Sequence, residues 1–260
     1  VVHIHGNSAT MAFDLLAVWA GGATVRITHC HNCAHQPALK QATLGRLLNR
    51  LVTDPVACSR AAGEMLYTRP FRVLVNGIDC ERFSFSPSVR EQMRAKLGLQ
   101  DCFVVGHIGR FSQQKNHTRL FRIFNIVLQQ KPQARLLLCG QGENFEQSQQ
   151  EAKALGIAEM VLFCGNVNRP EDYLQAMDVF VMTSLFEGLP IVGVEAQASG
   201  LPCIFADTIT QEVKILPQTQ FLALTQPDEA WAERIVQTKP MERSLAGHCV
   251  ESAGFAEENL

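Results

Sequence analysis

Short β-branched or aliphatic runs alternate with longer amphipathic segments along almost the whole chain. That alternation is the pattern of βα units wound on a parallel sheet. In the first third the strand candidates are Val1–Ile4, Thr24–Thr28, Pro55–Cys58 and Arg72–Val75, separated by helical patterns at Ala9–Ala20, Ala38–Leu51 and Arg60–Tyr67. A second series of strands runs Phe103–Ile108, Ala134–Cys139, Met160–Phe163, Val179–Met182, Pro202–Phe205 and Phe221–Leu224. Its helices are predicted near Thr118–Gln130, Asn144–Leu155, Glu171–Ala176, Ile191–Ala198 and Asp228–Gln237. Between the two series lies VNGIDCERFSFSPS, whose Asn, Gly, Pro and Ser content reads as a crossing between lobes. The expectation is an α/β protein of two Rossmann-like lobes with parallel sheets, the first incomplete because Val1 already lies inside a strand. The expected divisions are 1–83 for the first lobe, 84–240 for the second, and a polar tail over 241–260 returning toward the first.

Hydrophobic residues make up 47% of the 260 positions and charged residues 18%, enough to bury a large core. With 23 Lys plus Arg against 25 Asp plus Glu the net charge is −2, and nothing favours nucleic acid as a partner. No apolar run reaches the roughly 18 residues needed to span a bilayer, and no basic and apolar leader opens the sequence, so a cytoplasmic protein is expected. The nine cysteines, with Cys58, Cys139, Cys164 and Cys203 in or beside apolar runs, read as reduced core thiols.

In open parallel sheets, ligands sit at the carboxyl ends of the strands. His5 closes the first strand in VVHIHGNSAT; Arg110, Lys115 and Asn116 follow the strand at Phe103–Ile108 in HIGRFSQQKNH; Gly140 and Gly142 follow the next; Glu187 follows Val179–Met182. Arg110 and Lys115 flank a loop that ends at a helix start, which makes an anion site, with Arg supplying a planar fork and Lys a mobile point charge. A solvated basic patch extended by Arg119 and Arg122 is the competing reading. Pro190 near the first helical position puts Glu187 just outside the helix, and Gly188 lets backbone amides approach a ligand. Glu195 then lies roughly two turns along. Both carboxylates can reach one elongated ligand over the helix start, where hydroxyl groups suit them. Against this stand a dipole-stabilising role for Glu187 and a buried structural role for Glu195. The run HCHNCAH, from His29 to His35, raises zinc, but no second Cys-x-x-Cys or His pair at ligand spacing is read, and no metal site is assigned. Signatures of dinucleotide-binding, phosphate-loop, zinc-protease and esterase sites are absent.

Taken in order and separation, VNGIDCERF, GRFSQQKNH and EGLPIVGVEAQASGLPCI resemble a retaining glycosyltransferase of the GT-B fold, of the family four, EpsF-like type that builds bacterial exopolysaccharide. The resemblance runs from about Val1 to about Pro240. It implies that Arg110 and Lys115, with Gly109 before them, hold the diphosphate of a nucleotide-sugar donor. It implies that Glu187 meets the donor-sugar hydroxyls, that Gly188 and Leu189 offer backbone donors beside the phosphates, and that Glu195 binds the ribose. Asn166 and Val167 fall where a loop meets the base, and His5 matches a first-lobe histidine near the reacting sugar. The implied donor is a UDP-sugar; the implied acceptor is a saccharide or a polyprenyl-linked saccharide, which would bring the protein to the inner membrane face. Charge on the leaving diphosphate would be met by Arg110, Lys115 and the helix amides, so no cofactor or metal is required. The resemblance also implies a missing first strand and glycine-rich loop ahead of Val1, about a hundred residues by the size of two full lobes. A nucleotide-sugar-binding fragment without activity, and a GT-B sugar-nucleotide epimerase, are the alternatives.

Overall fold

The computed structural model describes residues 1–32, 38–239 and 242–257. Among the described residues ten strands form two all-parallel sheets. The first sheet has the order β1 (Val2–Gly6), β2 (Arg26–Cys30), β3 (Asp54–Ala57) and β4 (Arg72–Val73), with α1 (Met11–Ala20), α2 (Ala38–Leu51) and α3 (Arg60–Leu66) as crossovers. The chain then runs through α4 (Cys80–Phe83) and α5 (Pro87–Leu97) into the second lobe.

The second sheet is built from β5 (Val104–Ile108), β6 (Arg135–Cys139), β7 (Val161–Phe163), β8 (Val179–Met182), β9 (Cys203–Ala206) and β10 (Gln220–Leu222), in the order β10-β9-β8-β5-β6-β7. Its connecting helices are α6 (His117–Gln130), α7 (Phe145–Ala154), α8 (Pro170–Ala176), α9 (Ile191–Ala198) and α10 (Asp228–Val236). From β5 the chain winds outward through β6 and β7, then returns to start β8 on the other side of β5. The strand order therefore reverses between β5 and β8, and a crevice opens at the carboxyl ends of those two strands. The strands there are buried on both faces and, His107 apart, apolar, as a doubly covered parallel sheet requires. These two parallel sheets make the GT-B architecture expected from the sequence.

The segment read as a plain crossing contains helix. Ser86 accepts a hydrogen bond from the Val89 amide, Pro87 occupies the first turn, and Gly98 closes α5 in the left-handed conformation. Two arginines of α5 grip one carboxylate: Arg90 Nη2 lies 2.5 Å from Asp178 Oδ1, and Arg94 Nη1 lies 3.2 Å from Oδ2. Asp178 also accepts from the Val104 amide at 2.8 Å, so it ties α5 to the starts of both β5 and β8. The tail carries α11 (Ala246–Val250) and a wide turn over Glu251–Phe255. It returns to the crossing, where the Ile78 amide donates to the Phe255 carbonyl at 2.7 Å. Across the lobes, the Glu212 carboxylate accepts from the Arg60 and Ala61 amides at 2.9 and 3.1 Å, capping α3 from the second lobe.

Candidate active site

The crevice at the reversal point receives one loop from each flanking strand. After β5, residues 109–116 pass through a short 3-10 turn at Gln113–Lys115, and Asn116 takes the left-handed conformation before α6. After β8, residues 183–190 lead into α9, with Pro190 as the residue just before the helix. Lys115 Nζ and Glu187 Oε1 meet across the crevice at 2.7 Å, and both side chains are largely buried. Gln114 braces the carboxylate, its Nε2 donating to Glu187 Oε2 at 3.0 Å and to the Phe186 carbonyl at 2.9 Å. The Leu185 amide donates back to the Gln114 carbonyl at 2.7 Å, so the two loops are zipped together.

Behind Lys115 lie two buried histidines, His107 of β5 and His117 of α6, with rings 5.0 Å apart edge to face. Burial pushes both imidazoles well below their ordinary range, His107 to about 4, with Lys115 adding at His107 and the His107 ring and then Lys115 adding at His117. Neutral rings leave Lys115 as the cation facing Glu187. His107 Nε2 and both nitrogens of His117 are buried without a hydrogen-bond partner, which makes this a polar interior behind the crevice.

Arg110 stands apart from that pair. Its side chain is exposed and its Nε donates to Glu143 Oε2 at 3.1 Å. With Ser112, Gln113, Gln114, Leu185 and Phe186, Arg110 and Glu143 line an open cleft of about 490 Å³, which includes the Gln114 that braces Glu187. Each of the two cations is thus matched to its own carboxylate, Arg110 to Glu143 and Lys115 to Glu187. Gly109, between them and β5, donates its amide to the Cys139 carbonyl at 2.9 Å. Gly140, at φ 133°, packs so closely that a Cβ there would lie 2.1 Å from the Gly109 carbonyl oxygen.

Gly188 meets the first lobe. A Cβ on it would fall 2.5 Å from the His31 carbonyl oxygen and 2.8 Å from Asn32 Cα, so only glycine lets the strand-end loop of β2 come this near. Leu189 is buried, and its backbone lies near the Cys58 thiol, favouring its thiolate against the burial that raises it. Glu195, half-buried on α9, has its carboxyl raised to about 7 by burial. Arg82 pulls against that shift and Glu171 adds to it, so the charges acting on Glu195 are those of Arg82 and Glu171. Asn166 and Val167 lie in the loop after β7, two strands from the pair, beside a turn at Gly165 whose carbonyl accepts from the Gly140 amide at 2.7 Å. His5 lies at the end of β1 in the first lobe, its Nδ1 2.8 Å from His31 Nε2.

The structure therefore brings Lys115, Glu187 and Gly188 together and sets Arg110 at the rim. Glu195, Asn166, Val167 and His5 lie on other elements: α9, the loop after β7, and β1. Gln114 and Glu143 went unread in the sequence, although each sits beside a residue that was singled out. His31 enters the sequence reading only as part of the HCHNCAH run, of which Cys33 and His35 lie outside the described residues. Among the described residues no helix is long and apolar enough to cross a membrane.

The chain is 34% identical over 250 residues to EpsF of Bacillus subtilis (strain 168), which is named as a glycosyltransferase, covering 91% of this chain and 65% of that protein. It is 27% identical over 220 residues to an Escherichia coli galactosyltransferase that takes UDP-Gal to a GlcNAc-diphosphoundecaprenol, covering 80% of this chain and 51% of that one. The chain thus spans between about half and two thirds of the length of these relatives. Among solved structures, HepE of Anabaena in complex with UDP-glucose matches with a TM-score of 0.82 at 22% identity, over 98% of this chain and 74% of that one, which is agreement in fold. The family profile described as Glycosyl transferases group 1 matches residues 89–246, the lobe that carries the Lys115–Glu187 pair and more than half of the sequence, and the chain belongs to that family.

Proposed function

We propose that this chain is the donor-binding lobe and part of the acceptor-side lobe of a retaining glycosyltransferase. It moves a sugar from a UDP-sugar to a saccharide or lipid-linked saccharide in exopolysaccharide or cell-surface glycan synthesis. In this reading residues 84–240 hold the donor, residues 1–83 face the acceptor, and the 241–260 tail ties the two. The single observation that carries it is the Lys115–Glu187 pair astride the strand-order reversal, at the place where a doubly wound sheet binds ligands.

Chemically, the pair is a charge-balanced site. An arriving diphosphate offers Lys115 a second anion, and Glu187, relieved of its partner, accepts hydrogen bonds from sugar hydroxyls. Arg110 swings from Glu143 across the open cleft to meet the outer phosphate oxygens, as its exposure allows. Cations aimed at charge that grows as the sugar–phosphate bond breaks stabilise the transition state more than the ground state, and the reaction asks for no metal. His5, at the end of β1, positions the sugar, and Glu195 takes the ribose hydroxyls.

Isothermal titration of the chain with UDP and with uridine tests the donor half. Lys115→Ala is expected to weaken UDP far more than uridine, and an equal loss for both would remove the phosphate role. Turnover with a panel of UDP-sugars, with the product anomer read by NMR, tests the rest. Inversion at the anomeric carbon would overturn retention, and an epimerised donor formed without acceptor would make the protein an epimerase. Co-sedimentation with vesicles carrying a polyprenyl-diphosphate saccharide tests contact with the membrane face; no enrichment over plain vesicles would exclude it.

A further inference from the structure

Two strands of the first lobe lay four imidazoles side by side. His3 and His5 are two residues apart on β1 and therefore share one face, and the parallel register sets His5 opposite His29 of β2. His31 follows two residues later. Ring centroids are 4.1 Å apart for His3 and His5, 5.3 Å for His5 and His29, and 4.1 Å for His29 and His31. We propose that His3, His5 and His29 form a binding site for a divalent transition ion of the zinc class, with His31 as its outer hydrogen-bonding residue.

One nitrogen from each of His3, His5 and His29 lies within 4.8 Å of the other two. Tetrahedral zinc, with Zn–N near 2.0–2.1 Å, holds its ligand atoms roughly 3.3 Å apart. Rotations of the exposed His3 and His5 side chains toward the fixed His29 close that difference.

His29 supplies the independent sign of a ligand. It is 4% exposed, and its Nε2 is buried with no hydrogen-bond partner. The Leu74 backbone lies near enough to the same ring to favour a proton on it, and with Nε2 unpaired the nitrogen on that side is Nδ1. A metal-binding histidine characteristically has one nitrogen fixed by a backbone carbonyl and the other aimed at the ion. An unpaired buried nitrogen is otherwise a standing cost that coordination removes. His5 repeats the arrangement: Nδ1 is taken up 2.8 Å from His31 Nε2, and Nε2 is left for the ion.

Burial and the mutual repulsion of the rings hold His29, at about 4, and also His3 and His31, below the ordinary histidine range. An imidazole binds a metal through the lone pair of its neutral form. A set of imidazoles without carboxylate suits zinc, copper or nickel and is a poor match for magnesium or calcium.

The test is calorimetric titration of the 260-residue chain with zinc chloride, beside cobalt substitution followed by visible absorption. One zinc per chain is expected, with the intense visible bands of four-coordinate cobalt. His3→Ala should weaken zinc at least about tenfold, and His31→Ala by about ten- to a hundredfold as an outer residue. His29→Gln should do more, but its burial makes His3→Ala, at an exposed position, the deciding variant, with far-UV circular dichroism to show that it folds. Zinc affinity unchanged in His3→Ala, or lost in Cys33→Ser while kept in His3→Ala, would overturn the site. Resting on the reading of His5 given above, zinc should also inhibit sugar transfer reversibly. Inhibition absent while zinc still binds with His3 dependence would count against that role of His5 and leave the metal site standing.

Discussion

Replacing Lys115 by Met removes one charge from a nearly buried pair and keeps most of the side-chain volume. At the observed 2.7 Å, with an effective dielectric constant of 20, the attraction between Lys115 and Glu187 is about 6 kcal/mol. Most of that is offset by the several kcal/mol that each ion loses on leaving water, so the intact pair contributes little net stability. The single variant is another matter. Glu187 stays buried with its charge uncompensated, a situation that typically costs 3–5 kcal/mol. Gln114 still donates to Oε2 at 3.0 Å, and that bond places the expectation at the low end, about 3 kcal/mol. Urea unfolding at pH 7, followed by fluorescence of the buried Trp231, reads the loss as a fall in midpoint at constant slope. Adding Glu187→Gln to Lys115→Met removes the stranded charge and should restore about 2 kcal/mol. A loss below about 1 kcal/mol in the single variant, or a double variant no more stable than the single, would refute the claim that this is a buried, mutually dependent pair.

The same geometry makes Glu187 a competitor for Lys115, so Glu187→Gln should bind free UDP about tenfold more tightly while losing preference for UDP-sugar over UDP; calorimetry reads both, and weaker UDP binding would contradict the competition. Gly188→Ala places a methyl group 2.5 Å from the His31 carbonyl oxygen, so the lobes must part there, and small-angle scattering should show a larger radius of gyration at little cost in helix content; an unchanged radius would argue that the loop gives way instead. For Glu195, the folded carboxyl at about 7 lies above its usual value of about 4.5, so the native state binds the extra proton between those pH values. Its ionisation therefore costs nothing below pH 4.5, and the penalty grows through the window to about 3 kcal/mol above pH 7. Glu195→Gln should accordingly be more stable than the parent at pH 8 and equal to it near pH 4.5, and urea midpoints at the two pH values that move in parallel would rule this out.

Much of the fold was legible because parallel βα units write their period plainly. Each of the ten strand candidates coincides with a strand to within about two residues at either end, and Val179–Met182 agrees at both ends. Helix α5 was missed although its punctuation is present in the sequence: Ser86 before it, Pro87 in its first turn, Gly98 after it. Its apolar stripe is narrow, only Val89, Met93 and Leu97 among polar residues, and Arg90 and Arg94 anchor it further through Asp178, so a reading that weighs hydrophobic period sees a loop there. The candidate site was legible as residue types and not as pairs. Lys115 and Glu187 are 72 positions apart, and nothing local says that β8 returns to lie against β5. Strand order is a property of the whole sheet, fixed by which crossovers can pack, so the partner of each charged residue could only be seen once the order was known.

The histidines make the same point in reverse. Linear ligand spacing, which serves helices and zinc ribbons, directs attention to Cys33 and His35 and finds half a site. In a parallel sheet the relevant neighbour is the residue at the same height on the next strand, about 4.8 Å away whatever the separation in sequence. His5 and His29 are such neighbours, and His3 and His31 extend the row by two positions on either strand. A His-x-His on each of two successive strands is thus a four-imidazole row whenever the register aligns them. The Gly188 approach to His31 brings that row to the edge of the crevice between β5 and β8. An ion held there would tie up His5, the histidine on which the proposed positioning of the sugar depends.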